Sequence, residues 1–226
     1  MIARMLFELA KRPTIGHAVG FGFRYGSALL PVKRVLTTDR VIAFYHPKPA
    51  WPSHLLIVPK RSIRSLLQLA DARNVAFLTD IIVAARDIIH ALDLRDRGYV
   101  LCANGGPRQD VQQVHFHLFT DTYYVNTFAG DLPAETLPAD PDIAVFPHPH
   151  PNWETHLVIA PRHDLPPLVA ITAAAGPALR KMLAPLKGLN EQFDLVTRGY
   201  TLFIQETDAA ARQRLVLHLV AGRQLE

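Results

Sequence analysis

The chain has 226 residues, of which 49% are hydrophobic and 19% are charged. This composition supplies a substantial core and excludes a disordered chain, and the length allows one large domain or two small ones. The single cysteine, Cys102, excludes a disulfide framework and a cysteine-rich zinc site, and it is typical of a reducing, cytoplasmic compartment.

The N-terminal arm, residues 1–34, carries most of the positive charge. It has six basic residues and one acidic residue, whereas the whole chain has a net charge of +4. The rest of the chain is therefore close to neutral, which argues against a nucleic-acid-binding face there. The arm opens with "MIARMLFELAKR", which is amphipathic at helical spacing and too short to span a bilayer. We predict a helix that docks on the core or on a second subunit; the alternative is peripheral contact with a membrane surface.

The rest of the chain contains an internal duplication. The segment from Phe44, "FYHPKPAWPSHLLIVPKRSIRSLL", matches the segment from Val145, "VFPHPHPNWETHLVIAPRHDLPPLV". Both tryptophans of the protein take part, with Trp51 aligned to Trp153 at an offset of 102. Further along, "RGYVL" matches "RGYTL" at an offset of 101. Self-similarity over this length indicates two related structural units.

Each copy predicts the same elements in chain order. A strand hairpin comes first, followed by a helix and two further strands. The first helix is predicted over residues 73–92, and the second over residues 170–187, with Gly176 and Pro177 breaking or kinking its start. The closing strands are "GYVLCAN" and "VQQVHFHLF" in one copy, "GYTLFIQ" and "RLVLHLV" in the other. Residues 126–141 are predicted to be a linker. The fold class is α+β with antiparallel sheet.

The strand "VQQVHFHLF" places unusual residues on one face. Alternate residues of a strand share a face, so Gln113, His115 and His117 lie opposite the apolar residues between them. The second copy keeps the apolar face but has Val216 and His218 at the positions of the two histidines. Only one copy therefore retains the histidine pair.

The histidine pair by itself allows two simpler interpretations. Two histidines at alternate positions of a strand often simply face solvent. A His-x-His pair can also chelate a metal, with His54 as a further ligand, but no cysteine pair or carboxylate cluster accompanies it. We expect no metal and no cofactor.

The motifs as a set resemble the histidine triad (HIT) superfamily. The resemblance lies in "VIAFYHPKPAWPSHLLIVPK" and "LDLRDRGYVLCANGGPRQDVQQVHFHLF". It covers residues 35–120 directly and residues 142–220 through the repeat. It implies a HIT-like unit over 35–125 and a degenerate one over 142–226. HIT proteins are often homodimers, so we expect the two units to form an intramolecular pseudo-dimer with one active site, as a monomer or a higher oligomer of it.

The resemblance assigns roles to residues of the first unit. His115 corresponds to the nucleophile, which attacks an α-phosphate and forms a nucleotidyl-histidine intermediate. His117 corresponds to the histidine that orients it, and His54 to the hairpin histidine that holds the network. Gln109 corresponds to a contact with the scissile phosphate bridge, and Asn104 to a phosphate-binding residue.

Several positions depart from the family pattern. Gln113 stands where the first histidine of the triad is expected, and Asp110 stands in place of a serine that contacts phosphate. His46 replaces the acid that holds the ribose hydroxyls, although Phe44 keeps an apolar wall for a base. These residues are the predicted substrate-binding set together with Asn104.

The expected function is that of a nucleotide hydrolase or nucleotidyltransferase acting on a nucleotide or nucleotide conjugate. The departures motivate an alternative, a non-catalytic nucleotide-binding or regulatory protein. Nucleic-acid end processing is favoured only by the basic arm. A second motif, His148-Pro149-His150, aligns with the hairpin loop at His46. It is interpreted as a proline-rich turn of the degenerate unit.

Overall fold

The structure is a computed structural model that describes residues 32–120, 126–137, 140–206 and 214–225. The predicted N-terminal helix lies outside these ranges. None of the helices in the described ranges is long and apolar enough to cross a membrane.

The described ranges contain two series of elements. The first is β1 (Arg34–Thr37), β2 (Val41–Tyr45), β3 (Leu55–Pro59), α1 (Leu66–Leu69), α2 (Val75–Ala91), β4 (Tyr99–Gly105) and β5 (Phe116–Thr120). The second is β6 (Ile143–Pro147), β7 (Trp153–Pro161), α3 (Gly176–Leu183), α4 (Leu186–Phe193), α5 (Leu195–Arg198), β8 (Tyr200–Glu206) and β9 (Leu217–Gln224).

The strands form one antiparallel sheet in the order β1-β2-β3-β5-β4-β8-β9-β7-β6. The two units meet at its centre, where β4 pairs with β8 from Tyr99 opposite Glu206 to Gly105 opposite Tyr200. Outward from this pair, β5, β3 and β2 follow on one side, and their counterparts β9, β7 and β6 follow on the other. The prediction of an α+β pseudo-dimer within one chain is therefore confirmed.

The main core lies between the helices and one face of the sheet. It runs through both units, because inward residues of β4 and β8, such as Leu101 and Leu202, pack in the same cluster as the helices. Helix α2 of the first unit contacts the second directly: Arg86 Nη1 donates to the Ile171 carbonyl at 2.5 Å. The two units therefore share one hydrophobic core.

The strand that carries the histidines is shorter than predicted. Strand β5 begins at Phe116, so Gln113 and His115 lie in the segment before it. The cause is a contact with a segment distant in sequence, because the Val114 N–H donates to the Ile63 carbonyl at 2.6 Å instead of entering the sheet. The second unit repeats this contact, with the Leu215 N–H donating to the Leu165 carbonyl at 3.2 Å.

The second predicted helix is also different. Residues 170–187 do not form one helix; α3 begins at Gly176 and ends at Leu183, and α4 follows from Leu186. Pro185 separates them, since proline lacks the N–H that a continuous helix would need. Gly176 serves close packing: a Cβ there would lie 2.5 Å from Thr79 Oγ1 of α2.

Candidate active site

Four histidines of the first unit converge on the face of the sheet opposite the helices. His54 precedes β3, His117 lies on β5, His115 directly precedes β5, and His46 follows β2. His54 Nε2 lies 2.9 Å from His117 Nδ1. The ring centroids of His115 and His117 are 4.9 Å apart. The structure thus brings together the three histidines predicted to be catalytic.

Hydrogen bonds define which ring nitrogens carry protons. The Ala50 N–H donates to His54 Nδ1 at 3.2 Å, so in the neutral ring the proton of His54 is on Nε2. That proton is donated to His117 Nδ1, which leaves the proton of His117 on its Nε2. A backbone amide therefore sets the tautomer of both rings, and His117 presents an N–H donor at the end of the chain of bonds.

His115 has the opposite tautomer. Its Nδ1 lies 2.8 Å from the carbonyl oxygen of Gln113. A carbonyl only accepts, so Nδ1 must donate, and the lone pair of the neutral ring is on Nε2. The side chain is partly accessible to solvent. His115 therefore combines a ring fixed by a backbone carbonyl with an unprotonated Nε2.

The surroundings keep these rings neutral. Burial lowers the pKa of His54 from 6.5 to about 3, helped by His46 and His115. Burial also lowers the pKa of His115, against smaller opposing effects of the Gln113 carbonyl and of Asp110. The pKa of His117 is well below 6.5, first through burial and then through the neighbouring histidines. Neutral imidazole is the nucleophilic form at pH 7.

Two glutamines of the predicted site are engaged by the backbone. Gln113 is 1% exposed, and its Nε2 donates to the carbonyls of Pro59 and Arg61 at 3.1 and 2.9 Å. Its Oε1 accepts from the Ile63 N–H at 3.3 Å. Gln109 Nε2 donates to two carbonyls, those of Arg64 and Val111, each at 2.7 Å. In this arrangement Gln113 braces the segment before His115, and the substrate contacts of both glutamines stay predictions.

The other predicted substrate-binding residues lie around the histidines. Asn104 is on β4, two residues beyond Cys102, which pairs with His117. Asp110 is exposed. Phe44 is buried with Ile42, Leu56 and Val58 on the same face of the sheet. The apolar wall at Phe44 on β2 and the polar Asn104 on β4 thus lie on opposite sides of β3 and β5 in the sheet, while the contacts of each residue with a substrate stay predictions.

His46 and Trp51 support the cluster. The His46 ring stacks on His54 with centroids 4.2 Å apart and planes 4° apart. Trp51 packs its ring edge-on against His54 at 4.9 Å and stacks on Phe119 at 4.1 Å. The sequence prediction omitted Trp51 from the site, although its alignment with Trp153 marked it as a residue common to both units.

A metal fits the histidine cluster poorly. The ligand nitrogens of His46, His54 and His117 all lie within 4.8 Å of one another. A metal binds in the plane of each imidazole, however, and the nearly parallel rings of His46 and His54 share no common point in their planes. One ring would have to rotate and lose its stacking contact, so the hydrogen-bonded arrangement is the one that the geometry favours.

The second unit contains a related histidine cluster without the nucleophile. His148 stacks on His156 with centroids 4.3 Å apart, and His156 Nε2 lies 3.1 Å from His218 Nδ1. Val216 occupies the position of His115, and Phe128 covers this cluster from the side, 9% exposed and packed on Val216 and its neighbours. His148 is 3% exposed, so it is a buried member of the cluster as well as part of the predicted turn. The alignment of His148 with His46 in the sequence indicates that His148 belongs to such a cluster.

Comparisons with known proteins agree with this fold and site. A model of the HIT domain matches residues 29–122. A HIT-like protein of Synechococcus elongatus is 33% identical over 91 residues, which are 39% of this chain and 78% of that protein. The fold and the histidine site define a two-unit α+β protein of the histidine triad type. The chain belongs to the HIT family.

Solved structures extend the likeness to both units. An ADP-glucose phosphorylase from Arabidopsis thaliana, solved with bound ADP-glucose, has a TM-score of 0.61 at 10% identity and is matched over 90% of this chain and 81% of that one. A uridylyltransferase has a TM-score of 0.56 at 10% identity, over 83% and 74% of the two chains. At this identity the likeness shows the fold alone.

Proposed function

We propose that the protein is a nucleotide hydrolase or nucleotidyltransferase that acts at an α-phosphate through His115. The observation that carries the proposal is the tautomer of His115. Its Nδ1 proton is bound by the Gln113 carbonyl, and its Nε2 lone pair is left for attack. No other described histidine combines this arrangement with a place beside a second donor histidine.

The proposed reaction has two steps. His115 Nε2 attacks the α-phosphorus, a P–N bond to the imidazole forms, and the bond from phosphorus to the oxygen or nitrogen of the leaving group breaks. The proton on His117 Nε2 is available to the leaving oxygen or nitrogen. Water or the hydroxyl of another acceptor then attacks the same phosphorus and gives its proton to His117 Nε2, and the P–N bond breaks, which restores both histidines.

The substrate class is argued from the shape and charge of the site. The apolar wall at Phe44 suits a nucleobase, and neutral imidazoles avoid the cost of burying charge before the substrate arrives. The enzymes with a similar fold include a phosphorylase solved with ADP-glucose and a uridylyltransferase. We therefore include a nucleoside diphosphate sugar among the substrates to be tested.

The test is turnover and trapping. Purified protein is incubated with adenosine and guanosine phosphoramidates, a dinucleoside polyphosphate and a nucleoside diphosphate sugar, and products are separated by chromatography. We expect turnover of at least one substrate and a nucleotidyl adduct on His115 that is trapped by a denaturing quench at alkaline pH, where its P–N bond is stable. His115→Ala should lose about a thousandfold or more of the rate, while His150→Ala, which removes an exposed histidine of the second unit, should retain it.

A second function is favoured by the engaged glutamines. Because the Gln109 and Gln113 donors are taken by backbone carbonyls, fewer donors remain for a transition-state phosphate, as expected of a nucleotide-binding regulatory protein. Nucleotide binding by calorimetry without turnover or adduct across the whole panel would favour this function and contradict the enzyme proposal.

A further inference from the structure

The end of β4 and the turn that follows it pack closely against the second unit. A Cβ on Gly105 would lie 2.2 Å from the ring of Tyr200, and one on Gly106 would lie 2.3 Å from the Val196 carbonyl oxygen. Gly106 also has a φ of +61°, which disfavours other residues. The chain between the two predicted phosphate contacts, Asn104 and Gln109, is thus shaped by the second unit.

Arg108 of this turn makes three contacts with the second unit. Its Nη2 donates to the Gly222 carbonyl at 2.6 Å, and its Nη1 donates to Thr201 Oγ1 at 3.3 Å. Its guanidinium also lies 4.6 Å from the ring centroid of Trp153. Three different strands of the second unit therefore hold one side chain of the first.

Thr201 connects Arg108 to Asn104. The Thr201 hydroxyl is buried and donates to Asn104 Oδ1 at 2.8 Å. Because the Arg108 N–H already uses the hydroxyl oxygen as an acceptor, the hydroxyl proton needs an acceptor of its own, and the amide oxygen supplies it. The amide of Asn104 is then oriented with its oxygen towards β8, which leaves the Nδ2 protons as the donors available elsewhere.

The repeat-related pair of residues, in which the two units exchange roles, lacks this arrangement. At the repeat offset of 101, Thr201 corresponds to Val100 and Asn104 corresponds to Gln205, and these two residues face each other across the same strand pair. Val100 has no hydroxyl to orient Gln205. The hydroxyl-to-amide contact between Thr201 and Asn104 therefore has no threonine equivalent at the repeat-related position.

We propose that the second unit completes the active site of the first, with Thr201 as a positioning residue that orients the Asn104 amide so that Nδ2 donates to a phosphate oxygen beside His115. Arg108 fixes Thr201 in this role. The inference rests on the proposed function, and it explains what a unit without its own nucleophile contributes.

The test compares Thr201→Val with Thr201→Ser. Valine keeps the shape and the preference for a strand but removes the hydroxyl. With a phosphoramidate substrate we expect Thr201→Val to lower kcat/KM about tenfold, the loss expected from one misplaced hydrogen bond. Thr201→Ser should restore most of the activity. Thr155→Val is the matched control, because Thr155 is also buried and also accepts from an arginine, Arg198, but lies away from His115.

A double-mutant comparison separates positioning from mere stability. If Thr201 acts through Asn104, Thr201→Val should have no further effect on kcat/KM in an Asn104→Ala background. An equal loss in both backgrounds, or wild-type kcat/KM in a folded Thr201→Val variant, would overturn the inference while leaving the proposed function intact. If the wild type binds nucleotide without turnover, the same comparison is made on Kd for adenosine monophosphate. A wild type with neither turnover nor binding would overturn both proposals.

Discussion

Gln113 stands where the family pattern has a histidine, and its replacement by leucine is the sharpest test of its structural role. The side chain is almost fully buried and makes three hydrogen bonds with the backbone at the end of β3 and in the segment between β3 and α1. Gln113→Leu keeps a side chain of similar size and removes all three contacts. It also frees the segment whose carbonyl holds His115.

The expected loss of stability follows from these bonds. The two bonds donated by Nε2 are 3.1 and 2.9 Å long, and the bond accepted by Oε1 is longer, at 3.3 Å. A typical buried hydrogen bond contributes roughly 0.5–1.5 kcal/mol net, so we expect the free energy of unfolding to fall by about 3 kcal/mol. With a urea m-value of about 2 kcal/mol/M, the midpoint should fall by about 1.5 M.

Urea unfolding followed by far-UV circular dichroism measures this change. The adjacent Gln112 is the matched control, because it is exposed, and Gln112→Leu should change the free energy of unfolding by no more than about 0.5 kcal/mol. If Gln113→Leu unfolds at the same urea concentration as Gln112→Leu, the bracing role assigned to Gln113 is wrong.

Two further predictions concern the histidines. His54→Phe should preserve the stack on His46 but remove the hydrogen bond to His117, and we expect it to lower kcat about tenfold. His156→Phe, the equivalent change in the second unit, should leave kcat unaltered. Equal effects of the two substitutions on kcat would contradict a single active site. Stability should also fall with acidity. Burial lowers the pKa of His54 and of His156 to about 3 in the folded chain, whereas unfolded histidines titrate near 6.5. Below pH 6.5 the unfolded chain takes up protons that the folded chain does not. The free energy of unfolding is therefore highest with respect to these histidines above about pH 7, and it decreases as the pH falls. Urea midpoints at pH 7.5 and 5.5 test this, and equal midpoints would refute it.

Much of the fold could be predicted from the sequence because its signals are local. Alternation of apolar residues identified the strands, and the two offsets of the repeat identified two units. The start of β5 could not be predicted, because it depends on whether the Val114 N–H donates within the sheet or to the Ile63 carbonyl, which is distant in sequence. Pro185 indicates the break between α3 and α4, but the alanine-rich sequence around it led to the prediction of one continuous helix.

The candidate site divides in the same way. The sequence by itself determined that His115, His117 and His54 are the chemically distinctive residues, and that only one unit has the complete set. Their protonation pattern was decided by tertiary structure, since it depends on which backbone groups, at Ala50 and Gln113, lie beside each ring.

The contribution of the second unit was likewise decided only by tertiary structure. Thr201 follows Asn104 by 97 residues in the chain, and no local pattern relates them. They become partners because β4 and β8 pair at the centre of the sheet. Periodicity reports which side of a strand a residue faces, but a hydrogen bond between strands of different units depends on register, which exists only once the sheet has formed.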